Sequence, residues 1–233
     1  MKIALLGYGK MGQTIERIAL ERGHEIVLKK DESNTYDGIS NADVAIDFSI
    51  PAVAVENISS GFYANVPVVS GTTGWLDRYD EMVALCQEKN GAFISSSNFS
   101  LGVNLFFGLN EYLAKMMSKF DSYKVEMEEI HHTQKLDAPS GTAISLAKGV
   151  IENSDYKSWT LDEAKENQIH IEAIRTENVP GTHTVTYNST VDTIEIKHTA
   201  HNRDGFALGA VIAAEWIVGK HGVFTMKDVL NLK

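Results

Sequence analysis

The chain has 233 residues, enough for one large domain or two modest ones with real cores. Its 21 basic and 31 acidic residues leave a net charge of −10, which argues against polyanionic partners, so neither nucleic acid nor a membrane surface is expected. No apolar run is long enough to span a bilayer, and Met1 leads straight into Lys2 and a short strand-like run ending in glycine, so no signal peptide is expected. The single Cys86 excludes an internal disulfide and reads as a packing residue in an apolar-periodic run, in keeping with a reducing, cytoplasmic setting.

Residues 2–6 read as a buried strand. Residues 10–21 follow with helical spacing (Met11, Ile15, Ile18, Ala19) and stop at Gly23. Residues 25–28 and 43–48 form the next strands. Ser49 suits an N-cap, with Pro51 in the first turn of the helix that follows. Residues 66–69 predict a fourth strand, 76–87 a helix and 92–94 a fifth strand. Strand and helix alternating at this spacing imply an α/β unit, a parallel sheet covered by helices.

The texture changes after Asn98. One long helix is expected over 101–120, with Leu101, Leu105, Leu109, Leu113 and Met116 near one face. A strand over 123–128 and a helix over 142–152 precede three longer strands, 168–175, 182–188 and 191–198. In the last, Ile194 and Ile196 alternate with Glu195 and Lys197, as in a sheet with one wet face. This predicts a second, α+β domain with a mixed or antiparallel sheet. A helix over 206–218 and a capping box from Thr225 to Asp228 close the chain.

Gly7-Tyr8-Gly9-Lys10-Met11-Gly12 lies between the first strand and the first helix and fits G-x-G-x-x-G. Gly7 permits the tight turn, Gly9 lets backbone approach a pyrophosphate, and Gly12 lets helix and strand pack closely. In that context the loop predicts a Rossmann-like unit holding a dinucleotide, NADH or NADPH. The end of the second strand, Lys29-Lys30-Asp31-Glu32, offers both a base for a 2′-phosphate and an acid for a ribose diol; our reading leans to dual use, with Lys29 or Lys30 meeting a phosphate. Gly71-Thr72-Thr73 and Ser96-Ser97-Asn98-Phe99 follow the fourth and fifth strands, where ligands of parallel sheets collect, and are assigned to the nicotinamide side.

The densest chemistry lies in the polar segment 129–143. His131 and His132 can move protons near neutral pH, Lys135 can hold a carboxylate, and Ser140-Gly141-Thr142 enters a helix with N–H groups directed at an anion. Zinc is not expected here, because adjacent histidines on an extended chain point apart and no cysteine or third histidine lies at ligand spacing. His198, His201 and Arg203, beyond the last strand, read equally as carboxylate ligands or as a solvated loop.

Taken together, Gly71–Trp75, Asn98–Asn104, Glu129–Ala143, Val179–Thr182 and the ending Gly222–Leu230 resemble the 4-hydroxy-tetrahydrodipicolinate reductase (dihydrodipicolinate reductase) family of lysine and diaminopimelate biosynthesis. The resemblance implies a nicotinamide-binding domain over 1–99 and 207–233, and a substrate-binding domain over 100–206 that forms a homotetramer through its sheet. It implies that His131 donates a proton, that Lys135 is a second catalytic group, that His132 contacts a small dicarboxylate substrate, and that Gly141 and Thr142 bind its carboxylate. Two departures, Lys10 in place of an arginine and a compressed segment after the second strand, touch the adenosine half of the coenzyme site and leave the choice between NADH and NADPH open.

Overall fold

Alternation along short strands dictates how the first unit is built. The structure, a computed structural model, describes residues 1–232. Along the chain run β1 (Lys2–Leu6), α1 (Lys10–Glu21), β2 (Glu25–Lys30), β3 (Val44–Asp47), α2 (Pro51–Tyr63), β4 (Val68–Ser70), α3 (Tyr79–Glu88) and β5 (Ala92–Ser95). Next come α4 (Leu101–Met117), β6 (Lys124–His131), α5 (Gly141–Glu152), β7 (Ser158–Thr160), β8 (Gln168–Arg175), β9 (Gly181–Asn188) and β10 (Thr193–Ala200). The chain ends with α6 (Asp204–Ile217), β11 (Gly222–Phe224) and α7 (Met226–Val229). It divides into two compact units, Met1–Leu101 with Asp204–Lys233, and Gly102–Arg203.

The first unit carries a six-stranded sheet in the order β11-β5-β4-β3-β1-β2, parallel throughout. Period-two alternation sends Ile3, Leu5, Ile46, Val69 and Ile94 to one face, where they pack with Ile15 and Ile18 of α1 and Ala210, Val211 and Ile217 of α6. Ala4, Leu6, Ala45, Val68 and Phe93 go to the other, against Ile58 and Phe62 of α2 and Met82 and Cys86 of α3. Both faces are covered, so the strands read as continuous apolar runs. Cys86 is a fully buried packing residue. Five of these strands are the expected ones; the sixth, β11, is only three residues long and has no alternation to detect. Ser49 does not cap α2. Ile50 occupies that position, and the Ser49 hydroxyl instead donates to Asp47 Oδ1 at 2.7 Å. The capping box at Thr225 and Asp228 is present.

The second unit is built on a mixed five-stranded sheet, β10-β9-β6-β8-β7. β6 is parallel to β8 and antiparallel to β9. Its core joins Val125, Met127, Ile169, Ile171, Val185 and Tyr187 to α4 and α5. The face that α4 buries differs from the expected one. Val103, Phe106, Asn110, Leu113, Ala114 and Met117 are buried, whereas Leu105, Leu109 and Met116 are exposed. The helix is apolar on nearly all sides, so leucine spacing alone does not fix its rotation. Asn110 helps fix it, because its Nδ2 donates to the Leu146 carbonyl at 3.0 Å inside the core. Among the described residues no helix is long and apolar enough to cross a membrane.

This rotation predicts opposite outcomes for two neighbouring leucines. Leu113→Ala should cost ~2–5 kcal/mol in urea unfolding, the usual range for a buried leucine. Leu105→Ala should cost less than about 1 kcal/mol. Equal losses would contradict the rotation of α4.

Candidate functional site

In the first unit the glycine loop is held by contacts that only glycine tolerates. Gly7 has φ 102°, and a Cβ there would lie 2.3 Å from the Phe48 carbonyl oxygen. A Cβ on Gly12 would lie 2.3 Å from the Gly7 oxygen. Gly9 is different. A Cβ on it would meet nothing within 4 Å, and no side chain caps α1 there. Open space above an uncapped helix N-terminus suits a pyrophosphate.

A cavity of about 610 Å³ opens from this loop, lined by Gly7, Tyr8, Gly9, Lys30, Asp31 and Glu32 among others. The two lysines at the end of β2 part company. Lys30 lines the cavity, its Nζ donating to the Asp31 carbonyl and lying 5.1 Å from the centre of the Tyr36 ring. Lys29 turns to α1, with Nζ 2.5 Å from Glu16 Oε1 and 5.0 Å from the Tyr8 ring centre. Tyr8 donates to the same Glu16 carboxylate. Lys29 is therefore engaged in a Glu16–Tyr8 clamp that stiffens the glycine loop. A smaller cleft of about 180 Å³ shares Phe48 and Ser49 with the first and brings in Met11, Gly71, Thr72 and Thr73. Lys10 is exposed at the start of α1 and Ser97 in the loop after β5. The Phe99 side chain is buried against Phe48, with ring centres 5.7 Å apart, so only its backbone can face a ligand.

One buried carboxyl organises the loops at this sheet end. Asp47, fully buried at the end of β3, accepts from Ser49 Oγ at 2.7 Å, Asn57 Nδ2 at 2.9 Å and Ser70 Oγ at 2.7 Å. Burial pushes its carboxyl above the ordinary range, against hydrogen bonds from Ser49, Ser70, Asn57 and Thr72. Ser49 N–H donates to Thr72 Oγ1 at 2.8 Å, which ties the loops after β3 and β4 together.

In the second unit the same alternation that builds the core also builds the polar site. Val125, Met127, Glu129 and His131 occupy the inward positions of β6. Glu129 stands opposite His183 of β9, and His183 opposite His198 of β10. The inner face of the sheet thus turns from apolar to ionisable at one end. Glu129 has no exposed surface. Its Oε2 accepts the Ser140 N–H at 2.9 Å, and its Oε1 accepts Arg175 Nη2 at 3.0 Å. His131 Nδ1 lies 3.6 Å and His183 Nε2 3.8 Å from Oε2, longer than hydrogen bonds but within electrostatic reach. Arg175 straps the following loop as well, donating to the Lys135 carbonyl at 3.2 Å and the Asp137 carbonyl at 2.6 Å.

These contacts sort the expected residues. Lys135 Nζ is held by both oxygens of Asp137 at 2.9 Å. His132 is half-buried, with Nδ1 enclosed and without a hydrogen-bond partner. Ser140 caps α5: its hydroxyl accepts the Ala143 N–H at 3.2 Å and lies 3.1 Å from His183 Nε2. Its own N–H is committed to Glu129, and α5 begins at Gly141. A Cβ on Gly141 would meet nothing within 4 Å. His198 stacks on Phe106, with ring centres 6.0 Å apart, rather than lying in a solvated loop. Glu129, Arg175 and His183 were not singled out from sequence. The signal for Glu129 was an acid at an inward register of a strand; nothing local marks the other two.

Glu129, His131 and His183 bring one ligand-type atom each within 4.8 Å of one another. The third histidine that is absent at ligand spacing in the sequence thus arrives from β9. The Arg175 guanidinium already supplies a compensating positive charge at Glu129. For Glu129, burial raises the carboxyl, but hydrogen bonds from Ser140 and Arg175 and the nearby His131 outweigh it and leave it below the ordinary value. For His131, burial lowers the imidazole, Glu129 and Asp137 raise it, and Lys135 and Arg175 lower it further, leaving it below its ordinary value. Burial, with His131 beside it, pushes His183 down to about 4.

A histidine lowered on folding is neutral in the folded protein where the unfolded chain still binds a proton. Its effect on stability is therefore nil above about pH 6.5 and becomes a loss as pH falls towards 4. The loss should reach on the order of 3 kcal/mol. Urea unfolding of wild type and His183→Gln between about pH 7 and 4 should show a shallower acid decline in the variant; parallel curves would contradict the assignment.

Comparison with known proteins agrees with this architecture. The family pattern described as "Dihydrodipicolinate reductase, N-terminus" matches residues 1–99, and "Dihydrodipicolinate reductase, C-terminus" matches residues 102–230. A 4-hydroxy-tetrahydrodipicolinate reductase of Christiangramia forsetii is 58% identical, covering 99% of this chain and 98% of its own. One of Methanoregula boonei is 34% identical, covering 100% and 98%. The solved, dipicolinate-bound dihydrodipicolinate reductase of Paenisporosarcina sp. TG-14 has the same fold, with a TM-score of 0.76, 22% identity and 97% coverage of each chain. With both halves matched and close relatives aligned over nearly their whole length, the chain belongs to the dihydrodipicolinate reductase family.

Proposed function

We propose that His131 is the proton donor in the reaction of this chain, the NAD(P)H-dependent reduction of 4-hydroxy-tetrahydrodipicolinate, by way of dihydrodipicolinate, to tetrahydrodipicolinate. The observation that carries the assignment is the setting of His131 on β6. Its Nδ1 is enclosed and turned to the Glu129 carboxylate, which leaves Nε2, beside Gly181, to reach a substrate. A reduced nicotinamide, when bound, would supply the hydride. The imidazolium at 131 delivers the balancing proton to the neighbouring electron-rich carbon. Lys135 takes up a substrate carboxylate in exchange for Asp137, which holds its ammonium in place beforehand. Gly141 and Thr142 receive a carboxylate at the start of α5, aided by the helix dipole, and His132 contacts the ring. The substrate is a small dicarboxylate, which two such anion sites suit.

The first unit is the coenzyme-binding domain and the second the substrate-binding and assembly domain. Gly7, Tyr8, Gly9 and Gly12 would cradle the pyrophosphate, and Met11, Gly71, Thr72, Thr73 and the 96–99 loop the nicotinamide half. Lys30 stands beside Asp31, Glu32 and Glu56 in the same cavity, so either a 2′-phosphate or a free ribose diol finds a partner, and the enzyme uses both NADPH and NADH. The enzyme works in the cytoplasm as a homotetramer assembled through the mixed sheet. The exposed edge strand β10, with Thr193, Ile194, Glu195, Lys197 and Thr199 facing solvent, supports that assembly.

His131→Gln should lower kcat by ~10²–10⁴ with coenzyme binding intact, as read by coenzyme fluorescence beside steady-state rates. Undiminished turnover would remove His131 from the reaction. Lys30→Ala should raise KM for NADPH about tenfold while leaving KM for NADH nearly unchanged. Equal effects on the two coenzymes would exclude Lys30 as the phosphate partner.

A further inference from the structure

We infer that Glu129 is a positioning residue: its buried carboxylate holds the proton-donating ring, the anion-binding start of α5 and the lysine-bearing loop in one register, and supplies the negative charge that favours a proton on His131. This rests on the reading of His131 as the donor and deepens it.

The geometry assigns a separate task to each contact. Oε2 accepts the Ser140 N–H at 2.9 Å, which fixes where Gly141 and Thr142 begin the helix. Oε1 accepts from Arg175 at 3.0 Å, and the same guanidinium nitrogen donates to the Asp137 carbonyl, so the loop that carries Lys135 is referenced to the same carboxylate. The enclosed Nδ1 of His131 has no hydrogen-bond partner and lies 3.6 Å from Oε2. A proton on Nδ1 therefore has one carboxylate to face, and Nε2 is left as the atom that gives its proton away.

The charges around the ring make Glu129 decisive. Facing His131 are Glu129 on its own strand, Arg175 from β8, His183 from β9, and Lys135 and Asp137 from the following loop. Arg175 and Lys135 disfavour an imidazolium, and so does burial. His183 meets it edge-on, with ring centres 5.0 Å apart, and is itself pushed down to about 4, so it adds no positive charge at neutral pH. Asp137 is exposed and spends its charge on Lys135. Glu129 is the one anion among the described residues that is both fully buried and within 4 Å of this ring. Without it the donor would be neutral over more of the working pH range and unable to donate.

The test compares wild type with Glu129→Gln and Glu129→Asp. The first keeps an acceptor but removes the charge; the second keeps the charge one methylene further from the ring. Two readouts are taken on the full-length enzyme: the pH profile of kcat with saturating coenzyme and substrate, and the titration of His131 followed by NMR of histidine-labelled protein. Loss of the charge should move the alkaline limb of kcat, and the His131 titration, to lower pH by about one unit in Glu129→Gln. Glu129→Asp should fall between this variant and wild type, and it carries the test if Glu129→Gln does not fold. At about pH 8 the Gln variant should turn over roughly tenfold more slowly and recover in part on acidification. A purely structural role would lower kcat equally at every pH and leave the limb where it is. An unmoved His131 titration in the folded variants overturns the inference and leaves the donor assignment standing. A moved titration with an unmoved kcat limb refutes the donor assignment instead.

Discussion

A carboxylate at an inward position of a strand must be compensated or it unfolds the sheet around it. Glu129 occupies such a position, with no exposed surface, in a row whose other members are Val125, Met127 and His131. Leaving a charge there unpaired would cost several kcal/mol, comparable to much of a domain's net stability. The compensation comes from two other elements, a guanidinium at the end of β8 and a backbone N–H at the start of α5, while imidazoles on β6 and β9 lie within 4 Å. Each of those groups belongs to, or immediately precedes, a segment with a part in the proposed reaction. Satisfying one buried charge thus also sets the relative positions of the His131 ring, the start of α5 and the loop that carries Lys135.

The first unit uses the same logic with a buried carboxyl as its hub. Asp47 gathers three side-chain donors at the end of β3, and its neighbour Ser49 passes the order on to Thr72. Steric exclusion fixes the other wall: Gly7 and Gly12 stand where a Cβ would strike backbone oxygens. Hydrogen bonding holds one loop pair and glycine contacts hold another, and the space at Gly9 remains open between them. Precise placement by rigid surroundings is what an anion site at a helix end requires.

How far the sequence could be read follows from which interactions are local. Short apolar runs between amphipathic stretches revealed the parallel sheet, because both periodicities are local properties of the chain. The glycine loop was legible because its context, a strand before and a helix after, is also local. The rotation of α4 was not. A helix apolar on most sides chooses its buried face by a contact such as Asn110 with the Leu146 carbonyl, which no spacing rule contains. The split between Lys29 and Lys30 was hidden for a similar reason, since it depends on Glu16 lying one helix away. Ser140 illustrates a subtler limit. Its residue type correctly marked a helix cap, but the direction of its N–H was settled by Glu129, on the preceding strand.

The polar segment 129–143 contains the groups proposed to touch substrate, while the groups that set their charge and position lie elsewhere. Lys135 is prepared by Asp137 within that segment, so that pairing is open to sequence inspection. The charge balance at His131 is not, because Arg175 and His183 reach it only through sheet register. A β-sheet places residues distant in sequence side by side at fixed spacing, and an ionisable residue at an inward register acquires whichever neighbours the pairing supplies. Moving β8 or β9 by one residue would turn Arg175 or His183 to the opposite face. The register of the mixed sheet therefore sets the charge environment of His131, because Arg175 and His183 come to face it only through that pairing.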